Sequence, residues 1–312
     1  MGKPGKLASS FRRIAARALG REDPIVLMYH RVADLSLDPW DLAVHPKRFA
    51  EQMDVLRRAR SPVPLDWLVG EIVAGRRPRR AVAVTFDDGY LDVLREGKPV
   101  LERFGVHATM FLTTGSLGSP SGFWWDRLAT AVLSPATVPD VVRLSFASIT
   151  SRDRVALHRE LWSCIRVLSP VERDLAVDEV ASVLGPIELP SAPIMTRAEV
   201  RELTDGGVVT IGAHSVSHPS LPSLTEEAQR HEMDESRRVV EEIVGGPVRR
   251  FAYPFGDFDA RSERIAREVG FAFAVSTQPG SAVSRDDLFR LPRYAVSDWS
   301  GERFEAELRW LV

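Results

Sequence analysis

Two apolar runs in the first third of the chain lack any polar alternation. Ile25-Val26-Leu27-Met28-Tyr29 ends at His30, and Ala81-Val82-Ala83-Val84-Thr85-Phe86 ends at Asp87-Asp88-Gly89. Such runs predict strands buried on both faces, as in a parallel sheet. Between them Phe49, Met53 and Leu56 recur at helical spacing, predicting a helix from His45 to about Arg58. A helix from about Leu91 to Phe104 and a strand over His107–Thr113 follow. After residue 195 the alternation resumes. Thr196 and Glu199 form a capping box for a helix to Thr204, and Val208 to His214 reads as a strand. Thr225 to about Val244 is a helix stopped by Gly245-Gly246. Arg250–Pro254, Phe271–Ser276 and Phe289–Val296 read as strands, with helices over Arg261–Val269 and Gly301–Leu311. Strands alternating with helices predict an α/β fold, and about seven of them predict a deformed (β/α) barrel.

The alternation breaks between about 118 and 195. No strand is evident there. Phe123-Trp124-Trp125-Asp126 opens a helix to Leu133, and helical periodicity runs from about Arg152 to Leu184, closed by Pro186, Pro190 and Pro193. This reads as a helical insertion in a catalytic domain of residues 23–312. Residues 1–22 stand apart. Lys3, Lys6, Arg12, Arg13, Arg17 and Arg21 accompany Leu7, Phe11, Ile14 and Ala18 at helical spacing, with no acid before Glu22. A basic amphipathic helix of this kind suits peripheral contact with an anionic membrane surface; a solvated basic tail or a helix docked on the body is the alternative.

Charge and cysteine content narrow the function classes. A formal net charge of −2 gives no general attraction to nucleic acid. The lone Cys164 excludes an internal disulfide or a cysteine-based zinc cluster, and it reads as buried filler. No apolar run spans a bilayer and no signal peptide is evident, so a cytoplasmic address is expected, with residues 1–22 as a contact to the inner membrane face.

Candidate chemistry sits at the strand ends. Asp87 and Asp88 repel each other, and one pKa would rise unless a cation joins them. A divalent metal on one, with the other free as a base, resolves the conflict; a turn closing a strand is the plain alternative. His214-Ser215-Val216-Ser217-His218 follows another strand, and histidines four apart can share one metal. With one carboxylate they make a set suited to zinc, iron, nickel or cobalt. Surface or core histidines are the alternative for the second motif alone.

Thr85-Phe86-Asp87-Asp88-Gly89, His214-Ser215-x-x-His218 and Phe251-Ala252-Tyr253-Pro254-Phe255-Gly256 together resemble the polysaccharide deacetylase family, the NodB-homology or carbohydrate esterase 4 domain. The resemblance covers about Ile25 to Trp299 outside the insertion. It implies Asp88, His214 and His218 as ligands of a divalent metal, zinc first, with cobalt, nickel, iron or manganese as alternatives. It implies Asp87 as general base and the Phe255 N–H as an oxyanion donor. Phe255 stands where the family commonly has Tyr, a change that a backbone donor survives, and two further departures matter. Ala252 stands where an arginine usually contacts the base, leaving Arg250 and Arg293 as candidates. The late histidine that acts as general acid is missing. Leu27-Met28-Tyr29-His30 resembles the permuted order of biofilm-exopolysaccharide deacetylases, which implies His30 as the acid, and first and last strands are neighbours in a closed barrel. Asp298 resembles the residue that tunes this histidine.

The implied function is metal-dependent removal of an N-acetyl group from an amino sugar in a glycan or lipid-linked glycan. Sugar O-deacetylation or deformylation, or glycan binding without catalysis, are the alternatives. The presence of a base beside a metal set argues against binding alone. Phe123, Trp124 and Trp125 are expected either as a sugar-stacking wall or as core.

Overall fold

The structure, a computed structural model, describes residues 22–311 apart from 121, 135–140, 146–147, 151–152, 185–191 and 283–287. Segment 1–21, with its basic residues, lies outside the described residues, as do Pro186 and Pro190. In chain order the strands are β1 (Ile25–Tyr29), β2 (Arg31–Val32), β3 (Ala43–Val44), β4 (Ser61–Pro62), β5 (Ala81–Phe86), β6 (Ala108–Leu112), β7 (Val141–Arg143), β8 (Ser148–Thr150), β9 (Val209–Ala213), β10 (Arg250–Ala252), β11 (Phe273–Val275) and β12 (Tyr294–Ala295).

The main sheet runs β11-β10-β9-β6-β5-β1-β12, with β4 beside the start of β5, and every pairing in it is parallel. β1 and β5, the two apolar runs, are buried at every position. Their register pairs Tyr29 with Phe86, and Asp87 N donates to Tyr29 O (3.0 Å), so His30 and Asp87 leave the sheet at the same level. The 288–296 segment closes the curl. Leu291 bridges to Val275 of β11, while Tyr294 and Ala295 lie on β1. First and last strands are therefore neighbours, as the barrel reading expects.

Local sequence explains most element ends. Thr196 Oγ1 accepts from Glu199 N and Glu199 reaches back to Thr196 N, so the capping box forms. The helix Glu226–Val244 stops at Gly245 in the left-handed conformation, φ 69°. The 91–104 helix opens with a π turn over Val93–Gly97. Pro99 has no N–H for a regular ladder, and the α-helix proper is Lys98–Phe104.

Several expectations need correction. A helix over Leu65–Val73 and the strands β2, β3 and β4 went unread, because two-residue strands carry no periodicity and the helix follows Pro64 without a side-chain cap. The insertion does contain strands, the antiparallel pair β7–β8, each too short to show alternation. The helical run to Leu184 is two helices, Arg154–Ile165 and Pro170–Leu184, parted where Pro170 starts the second. The 289–296 strand shrinks to β12. Cys164 is exposed, since its helix buries Leu157, Leu161 and Ile165 instead.

The insertion has its own apolar cluster, built from Trp124, Trp125, Leu128, Leu157, Leu161 and Val177 among others, and Tyr90 joins it to the sheet end. Phe123, Trp124 and Trp125 are all buried, which removes the exposed stacking wall. Among the described residues no helix is long and apolar enough to cross a membrane.

Candidate active site

Four strand ends deliver the site. β5 exits into Asp87 and Asp88, β9 into His214, β1 into His30, and β10 into the Tyr253–Gly256 turn. Asp88, Ser215, His218 and Phe255 have φ of 76°, 64°, 53° and 57°, so four of the six described non-glycine residues in the left-handed region are here. Such conformations persist only where the surroundings over-determine them, and they gather at working sites. Gly89, φ 103°, then makes the exit, and a Cβ on it would meet Leu112 Cδ2 at 2.8 Å.

Asp88, His214 and His218 converge. Asp88 Oδ1 lies 3.6 Å from His214 Nε2 and 3.5 Å from His218 Nε2, and all three residues are buried. Among the described residues these three form the candidate metal-holding group. Asp88 Oδ1 is buried with no hydrogen-bond partner. Ligand atoms at about 2.1 Å from a tetrahedral ion are separated by about 3.4 Å, which this spacing matches. The residues present therefore fit a divalent ion. His214 Nδ1 lies 2.8 Å from Ala252 O, an arrangement in which Nδ1–H donates and Nε2 keeps its lone pair toward Asp88. Burial lowers the pKa of both imidazoles, leaving them neutral and able to ligate.

The two carboxyls diverge electrically. Burial, then Asp87, push Asp88 well above its ordinary value. Burial also pushes Asp87 up, but the Arg293 guanidinium beside it, with His214 and His30, holds it below the usual range. Arg293 is fully buried and donates Nη1 to Asp87 Oδ1 (2.7 Å) and Nη2 to Asp87 Oδ2 (2.6 Å). Its Nε donates to Ser276 O (2.9 Å) and its Nη1 also reaches Thr85 Oγ1 (3.0 Å). Arg250, the other candidate, pairs instead with Asp66 at 2.6 Å. Of the two candidate arginines, Arg293 is thus the one that reaches Asp87.

His30 is half-buried at the end of β1. Burial lowers its pKa to about 4, against an upward pull from Asp87, with Arg293, His214 and Asp38 also acting on it. His30 and Asp87 thus sit within electrostatic reach of each other at the ends of adjacent strands. No hydrogen bond joins Asp298 to His30 among the described residues. Asp298 Oδ1 accepts from His45 N (3.0 Å) and the carboxylate pairs with Arg48. Phe255 lies in the turn after β10, its ring 4.4 Å from that of His218, with Trp125 4.7 Å away on the same imidazole.

Sequence reasoning missed several supports. Tyr90 OH donates to Asp126 Oδ2 (2.8 Å) and accepts from Trp125 Nε1 (3.0 Å); Phe123 N also donates to Asp126 Oδ2 (2.8 Å), so Asp126 caps its helix as well. Glu232 and Arg173 hold the 214–218 loop. Only Tyr90, adjacent to the Asp-Asp-Gly turn, carried a positional signal.

An Asp-Asp, His-x-x-x-His constellation at the strand ends of a parallel barrel defines a class, and comparison identifies it. The chain belongs to the polysaccharide deacetylase family, whose model matches residues 74–161 and 165–274. YxkH of Bacillus subtilis (strain 168), itself named only as a candidate polysaccharide deacetylase, is 21% identical over 287 residues, covering 90% of this chain and 74% of that protein. The deacetylase PplD of Streptococcus pyogenes, solved with acetate, superimposes with TM-score 0.62 at 18% identity over 92% of this chain and 99% of that one. IcaB of Ammonifex degensii does so with TM-score 0.61 at 20% identity over 93% and 97%. These likenesses are of fold.

Proposed function

We propose that the chain is a metal-dependent carbohydrate N-deacetylase, hydrolysing the N-acetyl group of an amino sugar to a free amine and acetate. The observation that carries this reading is the asymmetry of the two aspartates. Asp87 is held ionised by Arg293, while Asp88 turns an unpartnered oxygen toward two neutral imidazoles.

Asp88, His214 and His218 would hold the ion, with zinc first for such a donor set. When bound, a divalent ion lowers the pKa of water and polarises an acyl oxygen. Asp87, kept anionic by Arg293, accepts the proton of the attacking water. The Phe255 N–H donates to the oxygen that gains charge in the tetrahedral state. His30 delivers a proton to the departing nitrogen, which an amide needs before the C–N bond breaks. With its pKa lowered to about 4, His30 rests neutral at neutral pH, so it takes up from solvent the proton it delivers, and Asp87 releases the water proton to solvent when acetate leaves.

The basic residues among 1–22 support a lipid-linked acceptor at the inner membrane face, since each cation near an anionic surface contributes about 1 kcal/mol. The direct test incubates zinc-loaded protein with N-acetylated oligosaccharides and N-acetylated glycolipids, followed by mass spectrometry. Loss of acetyl with appearance of a primary amine is expected from the native chain and not from Asp87→Asn. Release from O-acetylated analogues alone would instead make it an O-deacetylase.

A further inference from the structure

His218 reaches the centre from a loop, not from a strand, and its Nδ1 is buried without a partner. Its ring orientation therefore depends on packing and on the backbone that carries it. That backbone is gripped from two sides. Glu232, on the barrel helix Glu226–Val244, accepts from Val216 N (2.8 Å), Ser217 N (2.9 Å) and Ser217 Oγ (2.6 Å). Arg173, on the insertion helix Pro170–Leu184, donates Nη1 to His218 O (2.8 Å) and Nη2 to Ser217 O (2.6 Å). Arg173 is 2% exposed. A buried cation spent on two backbone carbonyls, with no carboxylate in hydrogen-bond contact with it among the described residues, is an expensive arrangement for a residue that only fills space.

We infer that Arg173 is a positioning residue for His218, and that the insertion is thereby part of the metal centre's scaffold. This rests on the reading of Asp88, His214 and His218 as ligands. The left-handed φ of Ser215 and His218 (64° and 53°) makes the loop one that relaxes when its outer contacts go. Glu232 fixes the loop's donors and Arg173 its acceptors, so neither can replace the other. The guanidinium fork spans adjacent carbonyls, which a lysine ammonium reproduces only in part.

The test measures zinc affinity of the full chain by competition with a chromophoric chelator. The variants are Arg173→Lys, Arg173→Met and, as a control, Arg127→Ala. Arg127 pairs with Asp174 and Asp178 of the same helix and, although it lines the same cavity as Arg173 and Ser217, bonds to neither Ser217 O nor His218 O, which Arg173 takes. Arg173→Met is expected to bind zinc about 10- to 100-fold more weakly, the usual effect of losing a group behind a ligand. Arg173→Lys should fall between it and the native chain, with Arg127→Ala unchanged. The rise in melting temperature on adding zinc should shrink in Arg173→Met by more than the metal-free melting temperature falls. Native affinity in Arg173→Met, or an equal loss in Arg127→Ala, overturns the inference while leaving the metal site standing. A native chain with no zinc affinity removes both. If Arg173→Met does not fold, Glu232→Gln carries the same test from the barrel side, with weaker zinc binding expected and native affinity overturning the two-sided grip.

Discussion

Arg293 and Asp87, 206 positions apart, form a two-pronged buried ion pair, 2.7 and 2.6 Å across its two contacts. The pair exists because closure of the barrel brings the segment before β12 between β11 and β1, next to the end of β5. Arg293 does for Asp87 what Ala252 cannot, since alanine has no charge to offer.

Removing one partner of such a pair leaves a buried charge alone, at about 3–5 kcal/mol. Arg293→Met should therefore lose that much stability in denaturant titrations, together with nearly all turnover. Adding Asp87→Asn should recover much of the stability, because the stranded carboxylate is gone, but none of the turnover. A double variant no more stable than Arg293→Met would show that Arg293 acts through packing and not through the aspartate.

How much of this was legible in the sequence follows from which signals are local. β1 and β5 announced themselves by unbroken apolar runs, and the capping box by two residues three apart. The Asp87-Asp88 and His214–His218 motifs each name their chemistry within five positions. Arg293 was one of two candidates, and only the closure of the sheet separates it from Arg250, which faces Asp66. Asp298 misled because a motif fragment gives no direction after a two-residue strand. Trp124 and Trp125 were ambiguous because an aromatic run reads alike whether it faces sugar or core. Arg173 and Glu232 were invisible, being charged residues on helices whose buried position depends on a loop that no local pattern ties to them, 45 and 16 positions away at the widest contacts.

His30 leaves β1 beside Asp87 at the end of β5 and is not one of the three converging ligand residues. His30→Ala should leave zinc affinity as in the native chain and reduce turnover by about 10²- to 10⁴-fold, the range for a lost general acid. Equilibrium zinc titration and steady-state kinetics on one preparation separate the two effects. Loss of zinc would reassign His30 as a ligand, and native turnover would remove the acid role.

Asp88 is a residue whose ionised form the metal-free protein resists. Its Oδ1 is unpartnered, and burial and Asp87 both oppose its charge. Asp88→Asn should therefore melt at a higher temperature than the native chain after chelation at neutral pH, yet bind no zinc and show no deacetylation. Adding zinc after chelation should restore activity to the native chain only. A metal-free Asp88→Asn that melts lower would mean that the carboxylate contributes a contact of its own.

Vesicle co-sedimentation tests the role of residues 1–22. The full chain should pellet with anionic vesicles at low salt and be released as salt rises, since screening weakens its basic residues' attraction. A chain beginning at Asp23 should stay in the supernatant. Equal pelleting of the two would move the membrane contact elsewhere or abolish it.

His158 gives the insertion a pH dependence with a definite sign. It is 1% exposed, its Nε2 has no partner, and its ring packs 5.5 Å from that of Trp40. Burial, helped by Arg159, lowers its pKa from 6.5 to about 4. Between those values the unfolded chain binds a proton that the folded chain refuses. Stability contributed by the neutral ring is thus fully present above pH 6.5, falls as pH drops, and levels off below about 4. His158→Phe keeps an aromatic ring against Trp40 and removes the titration. Across pH 7 to 5, the native melting temperature should fall more steeply than that of the variant, whose remaining slope comes from other groups. Parallel curves would mean that His158 stays neutral in the unfolded chain as well, or is charged in both states, and the linkage would be absent.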